Sequence, residues 1–191
     1  MNEIELIRSQ LLAERTHAAQ VAHACVAAIS TGQPAGADEA RAFRDTCVSY
    51  LVWVLARFEQ RDQLLAEHLH GLSDTCGASG DSHEDTLPGA LIEVAGRSGT
   101  SREALAKLEA ALGAADPEIA RAAWQDFARF FQSAWNERRV AIERQLTQLT
   151  GIASWRAVCA LDADSILEER SRYDRVVARL PAGVSLHSPP T

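Results

Sequence analysis

Residues 38–72 read DEARAFRDTCVSYLVWVLARFEQRDQLLAEHLHGL. Phe43, Cys47, Tyr50, Leu51, Val54, Phe58, Leu65, Leu69 and Leu72 recur there at three- and four-residue steps, which is the spacing of one helix face. Within this run YLVWVL is apolar all round, so the helix is expected to be central or covered by a partner. Upstream, residues 3–31 place Ile4, Ile7, Leu11, Ala18, Ala22, Cys25 and Ile29 on helical spacing, until TGQPAGA (31–37) breaks the pattern with Gly and Pro. Downstream, residues 73–87 are rich in Gly, Ser and Asp and read as one long loop. Pro88 to Gly96 predicts a short helix, and Thr100 with Glu103 forms a capping box that opens another over about 101–113. Asp116-Pro117 puts proline in the first turn of a long helix reaching about 149, with Gly151 as its stop. A last helix is expected over about 162–180, through Ile166, Tyr173, Val177 and Leu180. No alternating β-branched run and no Asn-Gly turn signals a strand. The expected fold is all-α, an antiparallel up-and-down bundle of four long helices with one or two short extra helices. It forms a single domain over residues 1–181, followed by a flexible tail at 182–191.

The composition bounds the function. A chain of 191 residues is long enough to bury a real core, and 24% charged with 47% apolar residues is ordinary for a soluble globular protein. A net charge of −7 argues against a general nucleic-acid or anionic-membrane binder. The N-terminus carries acids where a secretory signal has a basic region, and YLVWVL is too short to span a bilayer. Cys25, Cys47, Cys76 and Cys159 form no CxxC pair and read as reduced thiols in a bacterial-type cytosol.

Arginines on apolar faces supply the best lead. Four helical stretches carry Glu14-Arg15, Arg61-Asp62, Glu137-Arg138 and Glu169-Arg170. At roughly 100° per residue, Arg138 falls within about 10° of its stripe centre, and Arg15, Arg61 and Arg170 within about 40°. Glu14, Asp62 and Glu169 sit on the stripe shoulders, while Glu137 lies about 95° away. Charges are rarely buried unless paired, so a polar layer inside the bundle is expected. One reading is a self-neutralising network that fixes helix register. The other is a pocket whose guanidinium forks hold a carboxylate or phosphate.

Glu14-x-x-His17 also has the spacing of a di-metal carboxylate motif, with Glu59 and Asp62 as the nearest further ligands. His17 projects about 120° from its stripe centre, toward solvent. In layout the chain resembles hemerythrin-type bundles. That resemblance implies a di-iron or other transition-metal site on His17 with Glu59 or Asp62, although the third and fourth long helices contain no histidine. The stretch Leu11-Leu12-Ala13-Glu14-Arg15, followed by Ala18, Val21 and Ala24, resembles the first helix of helical chorismate mutases. There Arg15 would bind a substrate carboxylate; the lysine of that pattern is Val26 here, and Arg8 is out of phase.

The leading expectation is therefore a cytosolic, non-catalytic binding or interaction protein without a cofactor. Its internal layer comprises Arg15, Arg61, Arg138, Arg170, Glu14, Asp62 and Glu169. Trp53 lies off the main stripe of its helix, which points to a homodimer surface. The alternatives are a metal-binding bundle using Glu14, His17, Glu59 and Asp62, and an enzyme or binder whose core arginines hold a small anion.

Overall fold

The computed structural model describes residues 3–30, 37–75, 103–110, 116, 118–130 and 163–186. The described residues are helical with no strand, so the chain is all-α. The helices are α1 (Glu3–Ser30), α2 (Ala37–Thr75), α3 (103–110), α4 (118–130) and α5 (Ala163–Val177). The expected short helix at 88–96 and the end of the long helix at 149 lie outside the described residues.

Local chemistry sets the helix ends. Asp38 and Glu39 place negative charge in the first turn of α2, against the positive end of the helix dipole. α2 continues to Thr75, past Gly71 and into the stretch expected to be loop. The Asp116 carboxylate accepts from the Glu118 amide at 2.9 Å and caps α4. α5 closes with tightened bonds from the amides of Arg179 and Leu180 to the carbonyls of Val176 and Val177, at 3.1 and 3.2 Å. Its last helical residue is Val177, three short of the expected end.

The order of contacts fixes the helix directions. Glu14 meets Arg57 and Arg61 of α2, whereas Cys25 lies beside Cys47, so α1 and α2 run antiparallel. On α5, Ser165 meets Arg57 and Arg179 meets Thr46, so α5 is antiparallel to α2. Glu169 meets His17 and Tyr173 meets Gln20, so α5 is parallel to α1. α2 packs against both α1 and α5, while Val52 of its apolar segment stays exposed. The core joins Ala18, Val21 and Cys25 of α1 to Phe43, Leu51 and Val54 of α2. Leu108 of α3, Trp124 and Phe127 of α4 and Val176 of α5 belong to the same cluster. Trp124 meets Phe127 edge-on at 5.9 Å.

Beyond α5 the chain turns back. The Val184 amide donates to the Pro181 carbonyl at 3.1 Å, and Gly183 adopts φ 82°, the left-handed value that a type II turn needs at its third position. Residues 182–186 were expected to belong to a free tail, yet Val184 is buried in the core and Leu186 packs against it. Composition misses this because a lone valine after a Pro-Ala-Gly turn carries no periodicity.

Deleting residues 181–191 should lower unfolding stability by about 1.5–3 kcal/mol, the value of burying one aliphatic side chain. Urea denaturation of the truncated chain measures it. An unchanged midpoint would mean that Val184 contributes nothing.

Candidate functional site

Two carboxylates lie in the dry interior, and each is met differently. Glu14 on α1 is fully buried. Arg61 grips it with both terminal nitrogens, Nη1 on Oε2 and Nη2 on Oε1 at 3.1 Å. Arg57, one turn earlier on α2, reaches Oε1 at 3.5 Å and the Ser165 hydroxyl at 3.1 Å. Residues i and i+4 share one helix face, so α2 presents both guanidines to one acid. Arg57 also lies over the Trp53 ring at 4.9 Å, and Arg15 lies 6.0 Å from the centre of the Phe58 ring.

Glu169 on α5 is 1% exposed and is held by a phenol and an imidazole. Tyr50 donates its phenol proton to Oε1 at 2.7 Å, and His17 Nδ1 lies 3.1 Å from the same oxygen. Burial alone would raise the Glu169 pKa, but the bonds from His17 and Tyr50, with the charges of His17 and Arg170, hold it below the ordinary value of 4.5. An ionised carboxylate only accepts, so the hydrogen sits on His17 Nδ1. The His17 ring stacks on Tyr173, centroids 3.8 Å apart, and the Tyr173 hydroxyl donates to the Gln20 side chain at 2.7 Å. Burial first, then the charge and hydrogen bond of Glu169 and the charge of Glu14, push the Tyr50 phenol far above its ordinary value of 10. Tyr173 is raised as well, by burial and then by Glu169.

These contacts revise the expected site. Arg15, Arg61, Glu14 and Glu169 are buried as the stripes predict. Arg170 is not: its side chain is 69% exposed and pairs with Asp174 on the surface. The inward face of α5 is Ile166, Glu169, Tyr173 and Val176, with Val177 outside. Taking Val177 for Val176 swings the stripe toward Arg170, which in fact sits roughly 80° from the face centre. His17 is also misjudged, since it is only 21% exposed and meets Glu169. α1 touches two helices, so its buried arc, from Ala24 round to Ala19, spans roughly 220° and takes in His17. Arg138 and the Asp62 side chain lie outside the described residues. Glu59 is half-buried.

Sequence reading missed Arg57, Tyr50 as a polar group, and Tyr173. Arg57 has no adjacent acid, so only its four-residue step from Arg61 could have revealed it. Of the metal set, Glu14 is already gripped by two cations and His17 gives Nδ1–H to Glu169. Among the described residues no group of three or more His, Cys, Asp or Glu is placed to hold a metal ion. No protein-family model matches the chain, and neither a curated protein nor a solved structure is similar enough to count as a relative.

Two titrations follow. The folded Glu169 pKa lies below 4.5, so its stabilisation is present above that pH and is lost as pH falls through the folded value. Glu169→Gln should flatten the acid limb of a stability–pH curve, and an unaltered limb would contradict this role. Both tyrosines have raised pKa values, so their stabilisation holds below pH 10 and is lost as pH rises. Tyrosinate absorbance should therefore rise only together with alkaline unfolding, and a separate step near pH 10 with the helices intact would show that the phenols are accessible.

Proposed function

We propose that the chain is a non-catalytic binding protein, a helical bundle in which α2 runs antiparallel to both α1 and α5, whose buried carboxylates fix helix register. The observation that carries this reading is the saturation of Glu14. Its two oxygens take three bonds from Arg57 and Arg61, so the chain's own acid occupies the place of an anionic ligand between the guanidines. The terminal nitrogens of Arg61 are both occupied by the chain's own carboxylate, which neutralises the fork that an anionic ligand would use. The metal reading is weaker for the same reason, because a cation entering beside Arg57 and Arg61 meets like charge.

A cytosolic setting fits the free buried thiols Cys25 and Cys47. No described helix is long and apolar enough to cross a membrane. A homodimer remains part of the proposal, but Trp53 is half-buried against Arg57 and Arg172, so the exposed Leu12 and Val52 are its better contacts. Light scattering that finds only monomer at high concentration would remove the dimer.

Glu14→Gln leaves two buried guanidines facing a neutral amide and should cost about 3–5 kcal/mol of stability. The triple variant Glu14→Leu, Arg57→Met, Arg61→Met should recover most of that loss, because no charge is then left unpaired. Chemical denaturation reads both. If Glu14→Gln is as stable as the parent, the network does not set register.

A further inference from the structure

Between α2 and α5 lies a second polar feature, on the outside of the helix pair and backed by Tyr50 of the buried layer. Asp45, Thr46, Ser49 and Tyr50 form one wall of a cleft of about 260 Å³, and Arg172, Arg175 and Arg179 form the other. Arg172 and Arg175 lie roughly 60° apart around α5, and Arg179 follows in the turn beyond Val177.

Each arginine is positioned but not saturated. Arg172 lies over the Trp53 ring at 5.1 Å and its Nε donates to Glu168 at 2.6 Å. Arg175 Nε donates to the Ser171 carbonyl at 3.3 Å, and its Nη2 stands 3.9 Å from the same Glu168. Arg179 Nη1 donates to the Thr46 hydroxyl at 3.0 Å and to the Ala42 carbonyl at 3.3 Å, and meets no carboxylate among the described residues. Thr46 in turn gives its proton to the Ala42 carbonyl at 2.7 Å, so it serves as an acceptor that aims Arg179. Among the described residues Asp45 is held only by an exposed contact of 4.0 Å to Arg41. Three guanidiniums thus face two carboxylates, a local positive excess in a chain of net charge −7.

We propose that this cleft binds a small phosphate monoester. The guanidine forks of Arg172, Arg175 and Arg179 grip the phosphate oxygens, and Asp45 receives a hydroxyl or ammonium at the other end of the ester. A phosphate dianion offers three oxygens to converging forks, which a single carboxylate does not. The volume lies just under the ~300 Å³ lower bound of common small-molecule sites, which suits a short ester.

Titration calorimetry at about 0.15 M salt tests this, with inorganic phosphate, methyl phosphate and O-phosphoethanolamine as probes. All three should bind saturably, and O-phosphoethanolamine should bind roughly tenfold more tightly than methyl phosphate. R175Q/R179Q should weaken every probe at least ~10-fold, with an unchanged melting temperature in phosphate-free buffer because both side chains are exposed. D45N should abolish only the advantage of O-phosphoethanolamine. No saturable heat with any probe, or equal affinity in R175Q/R179Q, overturns the site. Equal binding of the two esters by the parent chain overturns the role of Asp45. Co-sedimentation with phosphatidylcholine vesicles containing phosphatidic acid, without binding of the soluble esters, would overturn the small-ester assignment in favour of a lipid headgroup.

Discussion

A carboxylate removed from water must be met by donors, and Glu14 shows how strongly that constrains three helices. It is completely buried, and the donors that reach it come from two successive turns of α2. Sliding α2 by one residue would turn its face by roughly 100° and withdraw both guanidines. The cost of an orphaned acid then applies in full. Arg57 extends the constraint to α5 through the Ser165 hydroxyl, so one acid ties the axial position of all three rods. The apolar residues around it, many of them alanines, supply burial but specify position weakly.

The second acid works by different chemistry. Among the described residues Glu169 meets no guanidinium within the layer; a phenol and an imidazole N–H converge on one oxygen. Full cations hold Glu14, whereas Glu169 keeps its charge mainly through hydrogen bonds. Tyr50 links the two acids. Its hydroxyl serves Glu169, and Glu14 is near enough to raise its pKa. Tyr173 completes the arrangement by stacking under His17 and fixing itself to Gln20 of α1.

α5 also separates its charges by face. Glu169 points inward, while Arg172, Arg175 and Arg179 line the shoulder toward α2. Trp53 stands at the boundary, with Arg57 from the buried layer and Arg172 from the cleft both against its ring. The indole is therefore a shared support for both groups of arginines. Rigid backing of this kind limits the entropy that the guanidines would lose on gripping a ligand.

The helical class and the burial of Arg15, Arg61, Glu14 and Glu169 were legible from periodicity, since a 3.6-residue repeat states which face is dry. Periodicity describes one rod at a time. It could not show that α1 packs against two neighbours, which is why His17 turns inward, or that Val176 faces the core and Val177 does not, which is why Arg170 is outside. Nor could it pair Arg57 with Glu14 or Tyr50 with Glu169, residues 43 and 119 positions apart along the chain. Sequence alone determined which residue types had to be neutralised in the interior. Tertiary structure alone decided the partners, because hydrogen bonds act over about 3 Å and only packed helices bring such distant side chains that close.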